Sequence, residues 1–193
     1  LLCELGYEVY GFGRNFGDDC ESWINEQKIR MQETVECSGK TGIFHKVTGN
    51  LLDTRWLCEQ VKEISHASTV EVLVNAAGVG YYGLHEQLSV QQIQTLVRTN
   101  LEVPLILTNR LLRELKQNRG YIINISSITA KQSSPHGCAY GATKAGLTSF
   151  GTSLFDEARK YGVKVTTIHP DMTDTKLYRD ADFTCSEEEG SFL

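Results

Sequence analysis

The chain has 193 residues, 40% of them hydrophobic and 22% charged, with a formal net charge of −5 and a pI near 5.6. That suffices for a single core, and the acidic balance argues against nucleic acid or an anionic membrane as the main partner. No apolar run reaches the roughly 20 residues of a membrane span, no signal peptide is visible, and the six Cys and five His show no metal-ligand spacing, so free thiols, no bound metal and a cytoplasmic location are expected.

In chain order, Leu1–Gly6 reads as the tail of a helix, and Tyr7–Phe12 as a strand leading into a Gly- and Asp-rich loop. A helix is expected at Cys20–Cys37, a strand at Gly42–Val47, and a helix at Asp53–Ser65 with Asp53 as its N-cap. The run Val70–Asn75 is a buried strand ending in the small-residue turn Asn75-Ala76-Ala77-Gly78, which lets a flat ligand approach the backbone closely. A long helical run, Ser89–Asn118, is interrupted at Thr99-Asn100-Leu-Glu-Val-Pro104. Pro104 cannot donate to the Asn100 carbonyl, so a kink is expected there, with a polar side chain and a carbonyl turned inward. Strand Gly120–Ser126, helix Cys138–Tyr161 and strand Lys164–His169 follow, and then a turn led by Pro170 with Asp171, Thr173 and Thr175. This alternation predicts a parallel α/β, doubly wound sheet in a single three-layer domain over residues 1–193.

The most informative spacing is Ser126-Ser127 followed by Tyr140-Gly-Ala-Thr-Lys144. Tyr140 and Lys144, four apart, share a helix face, and Ser127 lies 13 positions before Tyr140 at a strand end, where open α/β sheets place their chemistry. Reducing a ketone requires a proton for the developing alkoxide. A phenol can supply it, and an ammonium about 4 Å away favours the phenolate by up to roughly 4 kcal/mol, or about three pKa units. Ser127 would donate a hydrogen bond to the substrate oxygen. A Tyr/Lys pair at this spacing is weak alone, since a chain with eight Tyr readily carries one on an ordinary amphipathic helix. Its neighbours give it weight. A Ser127–His169–Asp171 hydrolase triad lacks the Gly-x-Ser-x-Gly elbow and is rejected. His169 reads as packing, while His136 and Cys138 sit on a loop that would line a substrate pocket.

Taken together, these elements resemble the short-chain dehydrogenase/reductase family, Rossmann-fold enzymes that use NAD or NADP. The family's Asn-Asn-Ala-Gly element is matched by Asn75-Ala-Ala-Gly78, its Tyr-x-x-x-Lys pair by Tyr140 and Lys144, and its Pro-Gly-x-x-x-Thr turn by Pro170 to Thr175 with Asp171 in place of Gly. Its active-site Asn and Ser are matched by Asn100 and Ser127, with Ser126 set aside on the family's interval. The resemblance implies that Tyr140 is the general acid/base, that Lys144 lowers its pKa and binds the nicotinamide ribose, and that Ser127 holds the substrate oxygen. It also implies that Asn100 holds a water leading to Lys144, and that Asn75 to Gly78, Pro170, Asp171, Thr173 and Thr175 meet the cofactor.

Two departures from the family pattern matter. The Gly-rich turn and the first strand are not in the sequence, nor is the C-terminal substrate-side end, so the sequence is expected to be part of a longer chain. At the ribose-reading position stands Gly13 rather than Asp. Arg14 beside it can fork onto a 2′-phosphate, so NADP(H) is the preferred cofactor, with NAD(H) possible. Asn50, where the family usually has Asp, would accept from the adenine amino group, with Leu51 offering backbone contacts. The expected function is carbonyl–alcohol interconversion on a small molecule, the other reading being an NADP(H)-binding sensor of the same fold. Apolar residues on more than one face of the helices near Leu101–Leu115 and after Tyr140 predict a homodimer or homotetramer.

Overall fold

The structure, a computed structural model, describes residues 2–16 and 42–171. The helix expected at Cys20–Cys37, as well as Thr173 and Thr175, lies outside the described residues. The chain divides into two compact units, Leu1–Leu57 and Cys58–Leu193.

In the first unit, β1 (Val9–Gly13) pairs parallel with β2 (Phe44–Thr48), with Val9 opposite Phe44 and Gly13 opposite Thr48. Aromatic side chains consolidate the pair: Tyr10 stacks on His45 at 4.5 Å, and Phe12 meets Trp56 edge-on at 6.1 Å. Helix α1 (Thr54–Ala67) begins where predicted, because the Asp53 carboxylate accepts the Trp56 N–H at 3.1 Å. Such a cap is worth about 1 kcal/mol.

The second unit holds a parallel sheet in the order β3 (Val72–Asn75), β4 (Tyr121–Ile125), β5 (Lys164–Ile168). Strand alternation puts Leu73, Asn75, Ile122 and Asn124 on a buried face. Against it pack α3 (Val103–Asn118) and α4 (Cys138–Ala158), which bury Leu111, Leu115, Leu147 and Leu154. Truncating one of these Leu to Ala costs about 2–5 kcal/mol. Of the apolar residues on these two helices, Leu111, Leu147 and Leu154 therefore serve the core, while Leu105 and Ala145 stay exposed. The described strands thus form two parallel sheets.

The long helical run resolves into three parts. Helix α2 (Val90–Val97) opens with a capping box between Ser89 and Gln92. It then passes through a π-turn at Arg98–Glu102 into α3, the Val103 N–H reaching back five residues to the Arg98 carbonyl. Pro104 has no N–H for the Asn100 carbonyl, and the chain absorbs this by widening one turn. No described helix is long and apolar enough to cross a membrane.

Candidate active site

Four segments of the second unit meet at the C-terminal end of β4: the turn after β3, the π-turn, the Ser126-Ser127 pair and the first turns of α4. Tyr140 and Lys144 are 3% and 4% exposed, so the helix directs both inward. The Lys144 Nζ donates to the carbonyl of Ile125, the last residue of β4, at 2.8 Å and lies 5.7 Å from the centre of the Tyr140 ring. The ammonium is thus anchored to the strand end, beside the Tyr140 ring. Burial pushes the Lys144 pKa down to about 8, because desolvation disfavours the charged form. Below that pH the group remains a cation.

The two serines divide their work. Ser126 Oγ donates to the Lys144 carbonyl at 3.0 Å and sits 2.8 Å from Thr148 Oγ1. Thr148 also donates to the Lys144 carbonyl at 2.9 Å and lies 3.1 Å from His169 Nε2. This network fastens α4 to the ends of β4 and β5. Burial, then the charge of Lys131, lowers the His169 pKa. Ser127 is different. Its Oγ accepts the Thr129 N–H at 3.2 Å and the Thr129 hydroxyl at 3.0 Å. A hydroxyl that accepts twice still has its own proton to give.

Asn100 is fully buried. Its Oδ1 accepts the Val79 N–H at 2.8 Å, and its Nδ2 donates to the Val79 carbonyl at 2.9 Å and to Thr143 Oγ1 at 3.2 Å. The side chain is turned inward and is committed to holding the turn after β3 against α4. Within that turn Ala76, Ala77 and Gly78 are exposed. A Cβ added at Gly78 would stand 3.5 Å from both Asn100 Oδ1 and Lys144 Nζ. Glycine therefore keeps the backbone bare directly beside the ammonium.

Asn75 does not share that exposure. Its Nδ2 donates to Asn124 Oδ1 at 2.8 Å, across the β3–β4 register, and it lies in the core with Thr108. The side chain thus ties strands together, and the open part of the turn begins at Ala76. Pro170 accepts the Ile128 N–H through its carbonyl at 2.9 Å, which brings the turn after β5 beside Ser127; Asp171 is exposed. In the first unit Arg14 is exposed just past β1, and Leu51 is half-buried. Asn50, also exposed, already gives one Oδ1 lone pair to the Leu52 N–H at 3.1 Å, leaving the second for a ligand.

Some neighbours were not legible in the sequence. Thr143 bridges Asn100 to the Tyr140 carbonyl, donating to the latter at 2.7 Å. The ring of Tyr82 lies 5.4 Å from that of Tyr140. A hydroxyl three residues after Tyr140 is a weak sequence signal for Thr143, and nothing local marks Tyr82.

Comparison with known proteins gives a consistent result. The family model described as short chain dehydrogenase matches residues 22–184. An uncharacterized oxidoreductase of Staphylococcus epidermidis is 35% identical over 121 residues, 62% of this chain and 53% of that protein. One from Staphylococcus saprophyticus is 31% identical over 186 residues, 94% of this chain and 74% of that protein. Among solved structures, a metagenomic short-chain oxidoreductase in complex with NADP superposes with a TM-score of 0.70 at 26% identity, over 89% of this chain and 74% of that one. The chain spans about half the length (53%) of the first of these relatives.

Proposed function

We propose, since the chain belongs to the short-chain dehydrogenase family, that it serves an NADP(H)-dependent oxidoreductase interconverting a carbonyl and an alcohol. The supporting observation is the convergence of a buried phenol, a buried ammonium and a serine with a proton to give at the end of one strand. The nicotinamide cofactor would supply or accept the hydride. The remaining work belongs to side chains of this chain. Ser127 donates to the substrate oxygen, which strengthens as charge develops there. Tyr140 gives its proton to that oxygen in reduction and takes it back in oxidation. Lys144, a cation below about pH 8, favours the phenolate by its charge, and with one N–H on Ile125 it has two more to offer a ribose.

The same reading assigns a dinucleotide to the remaining residues. The exposed turn Ala76–Gly78 comes beside Lys144 at Gly78, and the turn at Pro170 and Asp171 flanks Ser127, with Thr173 and Thr175 continuing it in sequence. Asn100 acts by fixing that backbone, and any water leading to Lys144 would be held nearby. Arg14 would select NADP(H) over NAD(H) through the 2′-phosphate, with Asn50 and Leu51 on the adenine. The relative solved with NADP favours the same choice. We read residues 1–193 as one Rossmann domain of a cytoplasmic homodimer or homotetramer acting on a small molecule, without nucleic acid, membrane or metal.

The test is direct. Purified protein supplied with NADPH and a panel of ketones and aldehydes should consume NADPH steadily with at least one of them. Tight NADPH binding without turnover of any carbonyl, and without oxidation of any alcohol with NADP, would replace this reading with a nucleotide sensor.

A further inference from the structure

Tyr82 stands beside Tyr140, yet the proposed proton transfer does not require it. Its ring centre is 5.4 Å from that of Tyr140, with the planes tilted by 48°. The surroundings fix this position. A Cβ at Gly80 would lie 2.6 Å from Tyr82 Cε2, so residue 80 can carry no side chain while the ring is there. On another side a Cβ at Gly137, the residue before α4, would be 3.5 Å from Tyr82 Cδ1. The Gly83 N–H donates to the His136 carbonyl at 2.8 Å, which joins the loop carrying Tyr82 to the loop preceding α4. Tyr82 as a whole is half-buried, with its ring beside that of Tyr140.

From this placement we infer that Tyr82 is a specificity-determining residue that selects carbonyl substrates carrying an aromatic or conjugated planar group next to the C=O. An aromatic pair gains attraction beyond its buried area when the rings stack offset or edge to face, and a saturated group of equal size forfeits it. A substrate whose oxygen reaches Tyr140 and Ser127 would lay its substituent near these rings, where the aromatic side chain of Tyr82 adjoins that of Tyr140. The inference rests on the carbonyl-reductase reading above and adds the class of substrate.

The test compares acetophenone with cyclohexyl methyl ketone, two ketones of similar size, in the full-length wild type and in Tyr82→Leu and Tyr82→Phe, with NADPH. The ratio of the two kcat/KM values cancels the protein's general competence, and the change in that ratio on substitution cancels the ketones' intrinsic reactivity. Tyr82→Leu should lower the acetophenone preference by about threefold to tenfold. Tyr82→Phe should keep the preference, and the Kd for NADPH should be the same in all three. If Leu lowers both ketones equally, Tyr82 merely supports Tyr140 and the inference is overturned. It is likewise overturned if the ratio does not move, or if the wild type reduces other carbonyls but neither of these. Failure of the wild type on every carbonyl would instead sink the reductase reading, a distinct result.

Discussion

At the end of β4 the polar side chains are buried and tied to protein partners, whereas at the ends of β1 and β2 Arg14 and Asn50 stand exposed. Lys144 is fixed on the Ile125 carbonyl, Asn100 on both polar groups of Val79, and Ser127 on Thr129. Asn50 has one local turn bond. Groups already held in place gain transition-state stabilisation without being reorganised at the moment of reaction. Exposed groups take their geometry from the ligand. Changes in the first region should therefore reach turnover, and changes in the second should move only the choice of cofactor.

The most damaging single change expected is Lys144→Met. It removes the cation beside Tyr140 and the donors offered to a ribose, so kcat should fall at least 10²–10⁴-fold, as for a lost general acid, and cofactor binding should weaken with it. Titration of NADPH alongside steady-state rates checks both halves, and unchanged cofactor affinity would detach Lys144 from the ribose. Ser127→Ala should lower kcat about 10²-fold, as for one lost oxyanion donor, while Ser126→Ala should be much milder in rate and cost mainly stability. Equal effects of the two on kcat would erase the division of labour between them.

That division was legible in the sequence only in part. The four-residue spacing of Tyr140 and Lys144, and the strand running into Ser126-Ser127, are local patterns and survive translation into the structure. An interval alone points to Ser127 in the sequence, and no local pattern encodes that Ser126 spends its proton on the Lys144 carbonyl. Asn100 shows the limit more sharply. Pro104 announces a disturbance in the helix, but the partner of Asn100 is Val79, 21 residues away, and no local pattern encodes that contact. Tyr82 is invisible for the same reason, its place being set by Gly80 and by a loop more than 50 residues downstream. Asn75 sits in the expected motif, yet strand alternation turns it into the core.

A smaller effect concerns stability. Below about pH 8 Lys144 is charged in both folded and unfolded chains, and the folded state bears the full cost of burying it. Between about 8 and the ordinary value of 10.5 the unfolded chain binds more protons than the folded one, so wild-type stability rises relative to a neutral variant. Lys144→Met should accordingly unfold at higher temperature than wild type at pH 7, by at most roughly 3 kcal/mol of stability, less whatever the lost bond to Ile125 costs. Its advantage should shrink as pH climbs from 8 to 10.5. A Tm gap independent of pH would mean that the ammonium is not desolvated.

The smallest effect belongs to the exposed region. Arg14→Ala should shrink the preference for NADP(H) over NAD(H) by about tenfold, as for one charge-assisted hydrogen bond, with little change in kcat under saturating cofactor. An unaltered preference ratio would assign Arg14 to solvent, and a large loss of kcat would contradict the contrast between the two regions.

The central claim is that Tyr140 carries the transferred proton within a preassembled cluster, and Tyr140→Phe tests it most directly. The substitution keeps the ring against Tyr82 and removes only the hydroxyl. Measured side by side, NADPH affinity should stay within about threefold of wild type, while kcat for a carbonyl that wild type reduces should drop by 10²–10⁴-fold. Near-normal turnover in Tyr140→Phe would contradict the account, and some other acid would then have to protonate the substrate.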